Sequence, residues 1–208
     1  MKLLDLFSGA GGAAMGYSHA GFTEIVGVDI EPQPHYPFTF VKADAFAYLA
    51  EHGSEFDVIH ASPPCQRYSS MSRRRDGHPD LYAPMRTALL QTGKPFVIEN
   101  VIGAPYSHGL LLCGSMFGLV VRRHRNFETS HLIFPPSQCR HKEQGRPIIV
   151  TGNGGGGTSP HSDKGIKSEW PSYMGMLWAS PDEVTQSIPP AYTEFIGKAL
   201  LAQLAVKP

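Results

Sequence analysis

Pro63-Pro64-Cys65-Gln66 follows directly on the apolar run Phe56 to Ala61. Prolines restrict the backbone, so a thiol placed after them can be held in a defined position. As a thiolate it is a strong nucleophile. Most free cysteines are simply small buried apolar residues. What sets Cys65 apart is the Pro-Pro-Cys-Gln setting and the polar stretch Arg67 to His78 behind it, whereas Cys113 and Cys139 have no comparable setting. Glu99-Asn100 follows a second apolar run, Pro95 to Ile98. A carboxyl at the end of a buried strand is favoured in its protonated form and can donate a proton. A third group, Gly9-x-Gly11-x-x-Ala14, fits the loose fingerprint of a turn that lets a ligand approach the backbone at a helix N-terminus. Asp29 lies 18 positions beyond Gly11, where an acid can accept hydrogen bonds from a ribose diol, and Asp44 is a candidate for an adenine amino group. These glycines and acids suggest an adenosine-containing cofactor without separating S-adenosylmethionine from NAD.

The elements that must position these residues alternate in type. Lys2 to Phe7 reads as a strand, Ser8 to Gly12 as a turn, and Ala13 to Ala20 as a helix ended by Gly21. Glu24 to Ile30 is a second strand, Glu31 to Pro37 a loop, Phe38 to Val41 a third strand and Ala45 to Glu51 a helix. Phe56 to Ala61, Leu81 to Leu90 and Pro95 to Ile98 continue as strand, helix and strand. Such alternation predicts an α/β fold, a mostly parallel doubly wound sheet with helices on both faces. Cys65 and Glu99 would then emerge at the C-terminal edge of the sheet, where ligands of open sheets bind. From Thr129 to Gln186 the texture becomes loop-rich, with a glycine run at Gly154 to Gly157, and Pro190 to Leu204 reads as a last helix. The expected organisation is a catalytic domain at 1–127, a small recognition-like insertion at 128–187, and a C-terminal helix at 188–208 that returns to the catalytic domain.

Taken in order, the motifs resemble those of the DNA cytosine-5 methyltransferases. Asp5-Leu6-Phe7-Ser8-Gly9-Ala10-Gly11-Gly12 is similar to their cofactor loop, and Pro64-Cys65-Gln66 to their nucleophile motif. Glu99-Asn100-Val101 resembles their second catalytic motif, Arg123-His124-Arg125 their Arg-x-Arg element, and Ile188-Pro189-Pro190 through Ile196-Gly197 their closing motif. The resemblance implies a Rossmann-like fold and S-adenosylmethionine as methyl donor, with S-adenosylhomocysteine as product. It implies a cofactor site at Phe7, Gly9, Ala10, Gly11, Gly12, Asp29, Ile30, Asp44, Ala45 and Pro63, with Ile30 against the adenine. Asp29 replaces the commoner Glu at its position but keeps the carboxylate. Cys65 would add to carbon 6 of a flipped cytosine, Glu99 would hydrogen-bond ring nitrogen 3, and Arg125 would hold the carbonyl oxygen on carbon 2. Arg123 would support the catalytic loop or the carboxylate. Gln66, Ser69 and Asn100 fall on the substrate side, and Arg73, Arg74 and Arg75 could hold phosphates.

A larger departure from the family lies near the C-terminal end. Only about 60 residues, Glu128 to Ser187, stand where a large target-recognition domain is usual. Each good base contact supplies about 1–3 kcal/mol of discrimination, so a short target sequence, or help from a protein partner, is expected. Cys139-Arg140-His141, with His131 and His161, has the residue types of a zinc site but no standard ligand spacing, and no metal is expected.

Eighteen basic and eighteen acidic side chains cancel, yet Arg73 to Arg75 and Arg122 to Arg125 are basic clusters suited to double-stranded DNA. Three scattered cysteines argue against a disulfide framework, and the apolar runs are too short for a membrane span. The expected setting is cytoplasmic, in a bacterial or phage-infected cell. Competing readings are an RNA cytosine-5 methyltransferase acting on transfer RNA, and a catalytically idle DNA-binding relative. An NAD-dependent oxidoreductase explains neither Pro-Cys-Gln nor Glu-Asn-Val.

Overall fold

Inward positions on these strands alternate between two chemistries. On β1 (Lys2–Leu6), Leu4 and Leu6 enter one core, while Leu3 enters the other with Asp5 buried beside it. On β4 (Val58–Ala61), Ile59 and Ala61 enter the first core, and Val58 and His60 face the second. A side-chain period of two separates the faces. The computed structural model describes residues 1–64, 67–68, 79–105, 109–151 and 162–205.

The sheet has seven strands in the order β3-β2-β1-β4-β5-β7-β6, with β2 at Glu24–Asp29, β3 at Thr39–Lys42, β5 at Phe96–Asn100, β6 at Leu110–Leu112 and β7 at Arg125–Thr129. The first five pair in parallel, and β7 runs antiparallel to both β5 and β6. Strand order reverses direction between β1 and β4, so their outgoing loops part and leave a crevice.

Helices α2 (Ala45–His52) and α3 (Tyr82–Thr92) cover the leucine face of β1, and α1 (Gly12–Ala20) and α6 (Pro190–Ala205) cover the other. Glycine lets α1 and α6 come close. A Cβ on Gly16 would lie 2.1 Å from both the Pro190 carbonyl oxygen and Thr193 Oγ1. Thr193 instead donates to the Ala13 carbonyl at 2.8 Å.

Two sequence expectations need correction. Glu99 and Asn100 do not follow β5 but end it, paired with Phe127 and Asn126 of β7. The irregular region before Arg122 includes β6, and β7 begins at Arg125. Both strands gain their hydrogen bonds from non-local pairing, which local patterns do not reveal. β7 carries the sheet past position 127, and Glu128 is clamped to α3 by Arg86 Nε at 2.7 Å and by the Tyr82 hydroxyl. Between β7 and α6, α5 (Trp170–Met174) gives Trp170 and Met174 to a third cluster with Val150, Met176, Ala179 and Val184, which includes Ala10 and Val121. No helix among the described residues is long and apolar enough to cross a membrane.

Candidate active site

The loop from β1 to α1 turns on left-handed residues: Phe7 at φ 56°, Gly9 at 49° and Gly11 at 81°. This conformation is unusual for phenylalanine and tolerable for glycine. Gly9 N–H donates to Asp29 Oδ2 and Glu31 N–H to Oδ1, each at 3.0 Å, so Asp29 pins the loop that it faces. Each carboxylate oxygen retains a second lone pair for a ligand. Gly11 caps α1 without a side-chain hydrogen bond, leaving first-turn amides at the cavity wall. Gly12 permits a close approach of a different kind. A Cβ there would lie 2.4 Å from the Ile188 carbonyl oxygen, so the closing motif seats against the loop.

A cavity of about 800 Å³ opens at the switch point. Phe7, Gly9, Ala10, Gly12, Asp29, Ile30, Asp44, Ala45 and Pro63 line it, as do Glu99 and Arg125. Gly11 is not part of the wall; a Cβ on it would press on Pro37 and Tyr36. Ile30 is 63% exposed, an apolar side chain at the wall with room for a flat ring. Asp44 has a second task, because its Oδ1 caps α2 by accepting from the amides of Phe46 and Ala47 at 3.0 and 2.9 Å. Cys65, Gln66, Ser69, Arg73, Arg74 and Arg75 lie outside the described residues, as does the Gly154 to Gly157 run.

Glu99 is 8% exposed, and Arg125 Nε lies 2.8 Å from its Oε1. The guanidinium stands at contact distance, off the alignment of a good hydrogen bond to Oε1. Burial pushes the carboxyl above the usual range, against opposing pulls from Arg125, Arg123 and a hydrogen bond with Ser62. Desolvation wins, which favours the protonated acid. Arg125 Nη1 also donates to the His124 carbonyl at 2.9 Å. Arg123 reaches elsewhere, donating to the carbonyls of Val150 at 2.9 Å and Thr185 at 2.5 Å, and its own carbonyl accepts from the Tyr192 hydroxyl. Its charge acts on Glu99 while its guanidinium ties the insertion to the segment before α6. Asn100 is buried and donates to the Pro63 carbonyl at 2.9 Å, holding the start of the Pro-Pro-Cys segment against β5.

Three residues absent from the expected set join this site. Tyr17 hydroxyl is 3.1 Å from His60 Nδ1, and His60 Nε2 is 2.9 Å from Ser62 Oγ, which continues to Glu99. Burial lowers the His60 pKa to about 3, so its ring is neutral and can donate through one nitrogen and accept through the other. The sequence signal was a histidine at an inward position of the apolar strand Val58–Ala61.

Comparison with known proteins bears on this arrangement. A family model for C-5 cytosine-specific DNA methylase matches residues 1–105, half of the chain. The chain belongs to this family. Among curated relatives, the type II methyltransferase M.AgeI of Thalassovita gelatinovora is 31% identical over 121 residues, covering 50% of this chain and 28% of that protein. M1.HphI of Haemophilus parahaemolyticus is 31% identical over 120 residues, covering 49% of this chain and 32% of its own length. The chain therefore spans about a third of these relatives or less. The crystal structure of S. pombe Dnmt2 methyltransferase aligns with TM-score 0.66 at 13% identity, over 98% of this chain and 99% of that one. At that identity the likeness concerns the fold, a Rossmann-like methyltransferase fold.

Proposed function

We propose that the chain transfers a methyl group from S-adenosylmethionine to carbon 5 of cytosine in DNA, with Cys65 as nucleophile. The observation that carries this reading is a buried Glu99, its carboxyl pushed above the usual range, beside Arg125 in the wall of the cavity lined by the glycine turn. Pro63 and Pro64 line the same cavity, and Cys65 is the next residue in the chain.

The residues present fit the donor. Uncapped amides of α1 suit its carboxylate, Asp29 its ribose hydroxyls, Ile30 its adenine face and Asp44 its amino group. When bound, S-adenosylmethionine supplies the methyl group to carbon 5 and leaves as S-adenosylhomocysteine. The chain's own residues make carbon 5 reactive. Cys65 thiolate forms a bond to carbon 6, ring electrons shift toward nitrogen 3, and Glu99 gives nitrogen 3 its proton. Arg125 steadies the carboxylate left behind and reaches the oxygen on carbon 2. After methylation a base removes the carbon-5 hydrogen as a proton, the carbon–sulfur bond breaks to restore the double bond, and nitrogen 3 returns its proton to Glu99. Reaching the ring face requires flipping the base from the duplex, at a cost of a few kcal/mol.

The test is trapping on duplex DNA that carries 5-fluorocytosine. Fluorine cannot leave as a proton, so a covalent adduct should accumulate with the wild type and not with Cys65→Ala. An adduct that persists in the Ala variant overturns the nucleophile assignment. Labelled-methyl transfer to duplex DNA, with none to transfer RNA, is the expected substrate result, and the reverse would make the substrate RNA. The short insertion predicts a target of very few base pairs, or help from a protein partner. Bisulfite sequencing that returns a strict target of four or more base pairs for the protein alone would refute that.

A further inference from the structure

Away from the cavity, the fold gathers four side chains that no motif connects. Cys113 follows β6, His124 precedes β7, Cys139 lies in the loop beyond, and His141 opens α4 (His141–Gln144). Their separations of 11, 15 and 2 positions hide the set from a reading by ligand spacing. One ligand atom from each, two sulfurs and two nitrogens, lies within 4.8 Å of all the others. Cys113 Sγ is 3.4 Å from His141 Nε2, and Cys139 Sγ is 3.5 Å from His124 Nε2. Metal–sulfur bonds of about 2.3 Å and metal–nitrogen bonds of about 2.0 Å at tetrahedral angles place sulfur and nitrogen about 3.5 Å apart. The two rings stand nearly perpendicular, at 86°, with centroids 5.0 Å apart, so both Nε2 atoms can meet at one point without stacking.

We infer that Cys113, His124, Cys139 and His141 form a structural Zn²⁺ site that staples the insertion to the edge of the sheet. Two thiolates and two neutral imidazoles give an uncharged tetrahedral complex with no open position, as structural zinc requires. The segment has reason to need it. α4 is four residues long and buries none of them, so apolar contact does not hold it down. Polar contacts converge on the same place. Arg122 donates to the His141 carbonyl at 3.2 Å and to Gln144 Oε1 at 2.9 Å. Ser115 donates to Cys113 Sγ at 3.3 Å and accepts from Arg140 N–H at 3.0 Å. His124 stands between Arg123 and Arg125, so a metal on its ring would fix the backbone from which both arginines leave.

The site is testable without reference to catalysis. The chain, purified under reducing conditions, should carry about one zinc per molecule by elemental mass spectrometry. Cys139→Ser and His141→Asn should each lose it, while His131→Asn, outside the cluster, should keep it. Cobalt exchanged into the wild type should give thiolate charge-transfer absorption and the intense visible bands of a tetrahedral ion. That spectrum decides the matter even if the variants do not fold. A metal-free wild type that takes up cobalt without those bands overturns the site. So does a Cys113–Cys139 disulfide in the freshly reduced protein, or zinc retained after Cys139 and His141 are replaced together.

Discussion

Asp29 and Arg125 face the same cavity from opposite sides of the switch point, but they are held there by different means. Asp29 is locked by backbone amides of Gly9 and Glu31, all within one β-α-β unit. Arg125 depends on a buried carboxyl group from β5 and an antiparallel partner strand, beside an arginine tied to Val150 and Thr185. The wall assigned to the cofactor is therefore made of turns, and the wall assigned to the chemistry of side-chain charge and long-range contact. A turn tolerates changes in distant residues, whereas a buried charge loses its balance when one partner changes.

This contrast can be broken first at Glu99. Glu99→Gln should lower methyl transfer on the order of 10²–10³-fold while leaving cofactor affinity, measured by calorimetry, unchanged. The sign of its pH dependence follows from its raised pKa. The wild type keeps the acid protonated below that pKa and loses the proton as pH rises through it, so its rate should fall on that limb. The Gln variant should lack the limb; if it keeps it, another group is titrating.

Gly16→Val probes what the turn-built wall stands on. Its Cβ would meet α6 backbone, and a loss of about 3 kcal/mol in urea unfolding is expected. A loss under about 1 kcal/mol would mean that α1 and α6 can part cheaply.

The His60 ring links the two regions and gives a smaller effect. With a folded pKa near 3, below its unfolded value, His60 is a proton-poor site in the native state. Its contribution is fully present above the unfolded pKa of about 6.5 and is lost as pH falls toward 3, at about 1.4 kcal/mol per pH unit. Asp5 and Glu99, whose pKa values are raised, act with the opposite sign. His60→Gln should therefore flatten the acid loss of stability relative to wild type by about that slope. An unchanged slope would show that the ring is not buried as a neutral base.

The smallest effect is expected at Asp44→Ala, which removes a helix cap worth about 1 kcal/mol. If cofactor affinity falls with it, Asp44 serves both the helix and the ligand; if only stability falls, it is a cap alone.

Wherever chemistry depended on neighbours in sequence, the chain itself specified it. The glycine turn, Asp29 at the end of β2, and the paired motifs ahead of Cys65 and at Glu99 all follow from local pattern, because backbone conformation and strand period are local properties. Tertiary structure alone decided that Glu99 and Asn100 remain in a paired strand, that Arg123 ties carbonyls, and that His60 and Ser62 stand behind Glu99. It also decided that Cys113 and His124 join Cys139 and His141, rather than the His131 suggested by proximity in sequence. Those relations arise across antiparallel pairs and between distant loops. Which partners meet there depends on how the chain closes in space, and no short pattern of residues records that.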